Sequence, residues 1–345
     1  MDHIAIDLGG KESQICRRSA DGKIVQELRC HTALLTGYLK KQPPSRVLLE
    51  TCSEAFKIAD AVLELGHEVR VVPATLVPAL GVGSRGLKTD RRDAQILSEV
   101  STRVDLPSVH VPARLSRVRK SSCTAREALV AARTLLVNSV RGWSRSELLK
   151  LGAGKPASFP RRVRDKALSR PEGLPEFINQ LLLSIDTLNE QIERADEELK
   201  LMANSDPVCD RLMSVPGVGP VTAIRFVAAI DDVKRFPSAH AVQCYLGLVP
   251  GEHSSSDKKR RTGITKAGPP RVRWALAQAA WSLRISRKLD PLALWANRVE
   301  ARRGKKIAVT ALARRLAGIL YALWRDGTRY DFTRLRTADN QPGTH

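Results

Sequence analysis

The sequence contains no Cys-x-x-Cys pair; Cys16, Cys30, Cys52, Cys123, Cys209 and Cys244 are scattered along 345 residues. That spacing argues against structural zinc and a disulfide framework, and predicts a reducing, cytoplasmic setting. No uninterrupted run of about 18 apolar residues occurs. Ile307–Leu323 comes nearest and is broken by Arg314 and Arg315. No basic-then-apolar signal segment precedes the strand-like His3-Ile4-Ala5-Ile6-Asp7. Acid is scarce: 36 Asp+Glu stand against 57 Lys+Arg, a formal charge of +21. Such a charge attracts polyanions, so nucleic acid is the leading partner and an anionic membrane surface the second. With 43% hydrophobic residues the chain can bury real cores, and its length predicts two or three domains.

The first third alternates strand and helix patterns. His3–Leu8, Ser13–Arg18, Ile24–Cys30, Arg46–Glu50 and Glu68–Val72 read as strands, with Ala20-Asp21-Gly22-Lys23 as a hairpin turn. Ala55–Leu65 and Asp90–Val104 read as helices, which makes an α/β layer. Asp7 and Glu50 each close an apolar strand, where open α/β sheets place their ligands. Asp90 and Asp93 lie three apart on one helix face. Either strand-end acid alone is ordinary turn chemistry, and an acidic first turn suits any helix N-terminus. Together the four carboxylates fit a hard-cation site for Mg²⁺, which takes oxygen ligands and shares them with substrate phosphates. Like-charged carboxylates at close quarters stay ionised when cations neutralise them.

Arg114–Leu149 lacks proline and reads as one or two long basic helices, either a solvated face or a contact to nucleic-acid backbone. Gly152–Pro175 is rich in proline, glycine and arginine and reads as a linker. Ile178, Leu181, Ile185, Leu188, Ile192, Ala195, Leu199 and Met202 follow 3,4 spacing, which predicts a coiled-coil arm joining protomers. A single amphipathic helix packed on its own domain is the alternative. The predicted domains are 1–150 with the acids, 151–205 with linker and coiled coil, and 206–345.

In the last domain, Leu212–Ala223 carries a Gly-x-Gly turn between helical patterns, similar to a helix-hairpin-helix. Gly217 and Gly219 there would let backbone N–H groups approach a phosphate. The six-residue Gly-x-Gly-x-x-Gly context of a dinucleotide site is missing. A serine-rich stretch, Ser254-Ser255-Ser256-Asp257, precedes Lys258, Lys259, Arg260, Arg261, Lys266, Arg271 and Arg273. Composition alone reads it as a flexible linker. The functional alternative is a serine nucleophile whose phosphate is clamped by cations. Trp274, Trp281, Trp295 and Trp324 sit in apolar-periodic helices and are expected in the core.

Asp7 in Ile-Asp-Leu-Gly-Gly, Glu50 in Leu-Leu-Glu-Thr and the run Lys-Thr-Asp-Arg-Arg-Asp-Ala resemble the DEDD motif of insertion-sequence family 110 transposases. That family includes Piv invertases and bridge-RNA-guided recombinases. Gly247-Leu248-Val249-Pro250, the serines, and Gly263-Ile264-Thr265-Lys266-Ala267-Gly268 resemble its second conserved domain. The resemblance implies a RuvC/ribonuclease-H-like first domain with Asp7, Glu50, Asp90 and Asp93 as Mg²⁺ ligands. It implies a serine that links covalently to DNA, and a structured guide RNA that pairs with donor and target. Where relatives carry Ser-Ser-Gly-Gly-Lys, alignment from Pro250 matches Ser255 to the nucleophile, with Ser254 and Ser256 as alternatives. Asp257 adds a negative charge that relatives lack. A junction resolvase using water as nucleophile, and a non-catalytic nucleic-acid-binding protein, are the rival expectations.

Overall fold

Ile4, Ala5 and Ile6 are fully buried in one short strand, and so are Val47, Leu48 and Leu49 in another. Consecutive buried residues mean that both faces of these strands are covered, as parallel strands in the middle of an α/β layer require. The computed structural model describes residues 1–80, 89–169, 171–255 and 258–333, with the backbone alone for 253–255 and 258–261. It forms two compact units, Met1–Pro112 and Ala113–His345.

The first unit holds a five-stranded mixed sheet in the order β3-β2-β1-β4-β5. The strands are β1 (Asp2–Asp7), β2 (Glu12–Arg18), β3 (Ile24–His31), β4 (Ser45–Glu50) and β5 (Glu68–Val72). β1, β2 and β3 form an antiparallel meander, whereas β4 and β5 run parallel to β1. Helices α1 (Leu35–Leu39), α2 (Ala55–Glu64) and α3 (Asp90–Arg103) cover the sheet. The period of two sorts the side chains: Ile4, Ile6, Val47 and Leu49 pack with Leu35, Leu39, Ala59 and Val62. Ala5, Leu48 and Val72 pack with Leu97 and Leu106 on the other face. This mixed sheet is consistent with a ribonuclease-H-like domain. The strands fall where the sequence puts them; α1, five residues long, is the element it does not announce.

The second unit is helical apart from one ribbon. Its helices are α4 (Arg114–Ser146), α5 (Phe159–Ala167), α6 (Glu176–Asn204), α7 (Pro207–Met213), α8 (Pro220–Ile230), α9 (Ala239–Tyr245), α10 (Pro270–Ser286), α11 (Pro291–Arg303) and α12 (Lys305–Asp326). The ribbon pairs β6 (Pro250–Ser255) with β7 (Lys258–Ile264).

Several expectations change here. The basic helix α4, placed by sequence with the acid domain, lies in the second compact unit, Ala113–His345. Three of its arginines are spent on packing: Arg126 pairs with Asp196 at 2.8 Å, Arg133 donates to Asn189 at 3.0 Å, and Arg119 pairs with Asp206. Residue numbers fall on α6 as they rise on α4, so the two helices are antiparallel. Ile178, Leu182, Ile185, Asn189, Ile192 and Leu199 are the buried line of α6, and α4 of the same chain packs along that helix. The heptad seam is thus satisfied within the chain, where a joint between protomers was expected. The presumed linker contains α5, whose Phe159 and Val163 are buried against Val137, Val140 and Ile178. Trp281, Trp295 and Trp324 pack on the core as expected, but Trp274 is 53% exposed.

By length and composition α12 could cross a membrane. It is instead the central core helix of its unit, with Leu312, Leu316 and Leu320 fully buried among α9, α10 and α11.

Candidate active site

Asp7 and Glu50 leave the sheet together. Ile6 and Leu49 are partners in the parallel register of β1 and β4, and each acid is the next residue along its strand. Adjacent strands lie about 4.8 Å apart, so the two carboxylates start from neighbouring points at the carboxyl edge of the sheet. The chain beyond each is tied down. After β1, Thr32 Oγ1 donates to the Gly9 carbonyl at 2.6 Å. After β4, both the N–H and the hydroxyl of Thr51 donate to the Val72 carbonyl, at 3.0 and 2.9 Å.

Helix α3 brings the Asp93 turn toward the same edge. Ser101 shares a 2.7 Å hydrogen bond with His3 at the start of β1, and Ser98 Oγ donates to Cys16 Sγ at 3.2 Å in β2. From Ser101 back to Asp93 is about 12 Å along a helix, and from His3 to Asp7 about 13 Å along a strand. The turn that carries Asp93 therefore comes level with Asp7. Asp93 is 4% exposed, whereas Asp90, one turn nearer the helix start, faces solvent. Thr89 caps α3, accepting from the Arg92 N–H at 3.3 Å. Arg91 turns to β3, where Glu27 accepts from its Nε at 3.2 Å and also from Gln95. The Arg91 bond first, and the Gln95 bond second, hold the Glu27 carboxyl below the usual carboxylate range. Arg91 and Gln95 thus lock the register of α3, with Asp93 buried and Asp90 exposed at the start of the helix. Leu87 and Lys88 of the same motif lie outside the described residues.

The donor set is all carboxylate oxygen, the chemistry that Mg²⁺ selects. Among the described residues no three His, Cys, Asp or Glu side chains are already gathered as a ready-made metal cluster. The backbone brings the acids to one edge; it does not close a cage.

The serine stretch is a β-ribbon in place of the linker that composition suggests. Ser255 is paired in register with Lys258, and Ser254 with Lys259. Ser256 and Asp257 lie outside the described residues, as do the side chains of Ser254, Ser255, Lys258, Lys259, Arg260 and Arg261. The base of the ribbon is clasped by the two glycine motifs. A Cβ on Gly247 would stand 2.0 Å from the Ala267 carbonyl, and one on Gly268 1.9 Å from the Tyr245 carbonyl. Both have positive φ, +65° and +72°, so only glycine fits either position. Lys266 N–H donates to the Gly247 carbonyl and Thr265 N–H to Val249, at 3.1 and 2.9 Å.

Arg273 completes the clasp. Its Nη1 donates to the carbonyls of Leu246, Ala267 and Gly268 at 3.1, 2.8 and 2.9 Å. Arg273 ends the basic stretch that follows the serines, and the structure spends it on carbonyls. Arg271 is 68% exposed at its side chain and pairs with Glu127 at 3.0 Å. Lys266 is exposed, with φ at +57°.

The Gly-x-Gly turn joins α7 to α8. A Cβ on Gly217 would lie 2.4 Å from the Ala279 carbonyl of α10, so close helix packing accounts for that glycine. Gly219, the residue before α8, has open space where its side chain would be.

Residues 4–143 match the profile of DEDD-type IS110 transposases, and residues 209–293 match that described as Transposase IS116/IS110/IS902 family. The transposase for insertion sequence element IS1111A of Coxiella burnetii is 27% identical over 93% of this chain and 88% of its own length. The transposase for insertion sequence element IS1328 of Yersinia enterocolitica is 29% identical over 94% of this chain and 97% of its own. A transposase-like protein of Sinorhizobium fredii, y4pF/y4sB, is 30% identical over 89% of this chain and 78% of its own. With the acid-bearing sheet in one unit and the glycine-clasped serine ribbon in the other, each under its matching profile, the chain belongs to the IS116/IS110/IS902 family of transposases.

Proposed function

We propose that this transposase is a site-specific recombinase that moves its own insertion sequence, with acids and serine serving one scissile phosphate. Asp7, Glu50, Asp90 and Asp93 are the residues that would hold Mg²⁺, and Ser255 is the nucleophile. Bound Mg²⁺ would supply Lewis-acid stabilisation of the phosphoryl oxygens, as in other in-line displacements.

The Ser255 hydroxyl attacks phosphorus; its Oγ–P bond forms as the bridging P–O bond to the adjoining deoxyribose breaks. The serine proton passes to a base, and the leaving deoxyribose oxygen takes up a proton. Attack by a deoxyribose hydroxyl of the partner strand reverses the step, restores a phosphodiester and frees the serine. The phosphodiester is conserved throughout, so the step needs no external energy source. Lys258, Lys259, Arg260 and Arg261 follow the serines closely enough in sequence to clamp the phosphate. A structured guide RNA belongs to this reading, supported by the family resemblance and by a charge of +21 that attracts polyanions.

The observation that carries the reading is the level placement of Asp7 and Glu50 on neighbouring parallel strands, with the Asp93 turn beside them. Ser255→Ala tests it. The variant should bind DNA as the wild type does, but lose recombination and the covalent protein–DNA species on denaturing gels. Cleavage that persists without an adduct would instead identify a water-using resolvase.

A further inference from the structure

A groove beside the β6–β7 ribbon has no role in the reading above. It encloses about 950 Å³ between Leu248 and Pro250, the end of β7, and helices α11 and α12. Lys266, Arg302, Arg303, Lys306 and Arg314 line it, and no Asp or Glu does. Among the described residues, none of these five makes a salt bridge. The contrast with α4 is informative, because Arg119 and Arg126 there each have a carboxylate partner.

The fold gains nothing from this concentration of charge. Arg302, Arg303, Lys305 and Lys306 crowd around Gly304, and the two lysines occupy the first turn of α12 with no acid among them. That turn is the positive end of the helix dipole, where anions are favoured and cations are not. A bound polyanion would relieve both the mutual repulsion and the dipole conflict.

The floor is of the opposite character. Trp295, Val299, Ile307 and Ala311 line it beside Leu248, and the Arg315 guanidinium lies 4.8 Å from the Trp295 ring centre. A duplex keeps its base faces stacked inside and needs no such floor. A single strand exposes them, and cations with aromatic or apolar cover are what non-sequence-specific single-strand sites combine.

We propose that this groove holds a single-stranded stretch of nucleic acid, its phosphates on Arg302, Arg303, Lys306, Arg314 and Lys266 and its unstacked bases over Trp295 and Ile307. The inference rests on the proposed recombinase reading at one point, that the strand continues to the serine ribbon.

The test uses the full chain and the triple variant Arg302→Gln, Arg303→Gln, Lys306→Gln. All three residues are exposed, and thermal melts check folding. Fluorescence anisotropy is read against salt with a labelled single-stranded DNA oligonucleotide, an RNA of the same sequence and the matching DNA duplex. Each lost single-strand contact should reduce the slope of log affinity against log salt by about 0.7, so the triple variant should lose about 2. The duplex slope should change less. Whichever single strand loses more identifies the source of the strand. A single-strand slope that falls by less than about 1, or a duplex slope that changes as much, overturns the proposal. The charge-keeping variant Arg302→Lys, Arg303→Lys, Lys306→Arg should keep the wild-type slope. A groove variant with unchanged slope in a protein that still forms the serine adduct would remove this inference alone. Loss of slope in a protein that forms no adduct would remove the serine reading alone.

Discussion

Asp7 and Glu50 stand side by side, each one residue beyond the Ile6–Leu49 pair on adjacent parallel strands. Two carboxylates that close repel each other and gain from a shared divalent cation. Asp7→Asn or Glu50→Gln should therefore reduce Mg²⁺-dependent DNA cleavage by at least about a hundredfold, while DNA affinity in EDTA stays within about twofold. Mg²⁺ should raise the melting temperature of the wild type, and that rise should shrink in either variant. Full cleavage by Asp7→Asn would dismiss the metal site.

Glu27 ties α3 to the sheet through Arg91 and Gln95, and its carboxyl is held below the usual range. A depressed folded-state pKa contributes stability above the unfolded value, lost as pH falls through the folded one. Glu27→Gln should thus melt lower than the wild type at pH 7. The gap should begin to close as pH drops below the ordinary glutamate value and vanish once wild-type Glu27 is protonated. A gap independent of pH would place the contribution in packing.

Asp206 has two tasks: Oδ1 accepts from the Val208 and Cys209 N–H groups at 2.7 and 3.2 Å, and Oδ2 meets Arg119. Arg119 is 8% exposed, so Asp206→Ala leaves a buried cation alone and a helix uncapped. Chemical denaturation should show a loss of about 3–5 kcal/mol. A loss under about 1 kcal/mol would mean that water reaches Arg119 readily.

Gly247 and Gly268 hold the ribbon base through contacts that no larger residue can make. Gly268→Ala should abolish adduct formation while leaving Mg²⁺ binding by the first unit intact, as calorimetry on the full chain would read. An active Gly268→Ala enzyme would show that the clasp is dispensable.

How much of this was legible in the sequence depended on the kind of interaction. Strands β1 and β4 announce themselves because Ile4-Ala5-Ile6 and Val47-Leu48-Leu49 are apolar runs that each end on an acid, and the register then follows from burial. Long-range pairing leaves no such mark. Arg119, Arg126 and Arg133 look like a solvated basic face until Asn189 and Asp196 come round on α6 and Asp206 at the start of α7. Proline and glycine around Phe159 masked a short helix whose hydrophobic face is visible only once α4 and α6 supply the other side. Trp274 fits the apolar period of α10, yet it is more than half exposed. Arg273 belongs by composition to the basic stretch after the serines, and nothing in composition distinguishes a guanidinium bound to carbonyls from one awaiting an anion.

The most direct measurement of the central claim is the yield of the Ser255–DNA adduct on a substrate with one nonbridging sulfur at the scissile phosphate. Mg²⁺ binds sulfur poorly and softer Mn²⁺ tolerates it better. If carboxylate-held metal and serine act on the same phosphate, one sulfur diastereomer should give almost no adduct in Mg²⁺ and recover it in Mn²⁺. Asp7→Asn should give none in either. Equal adduct yields in both metals for both diastereomers, or an adduct that forms without Asp7, would contradict the account.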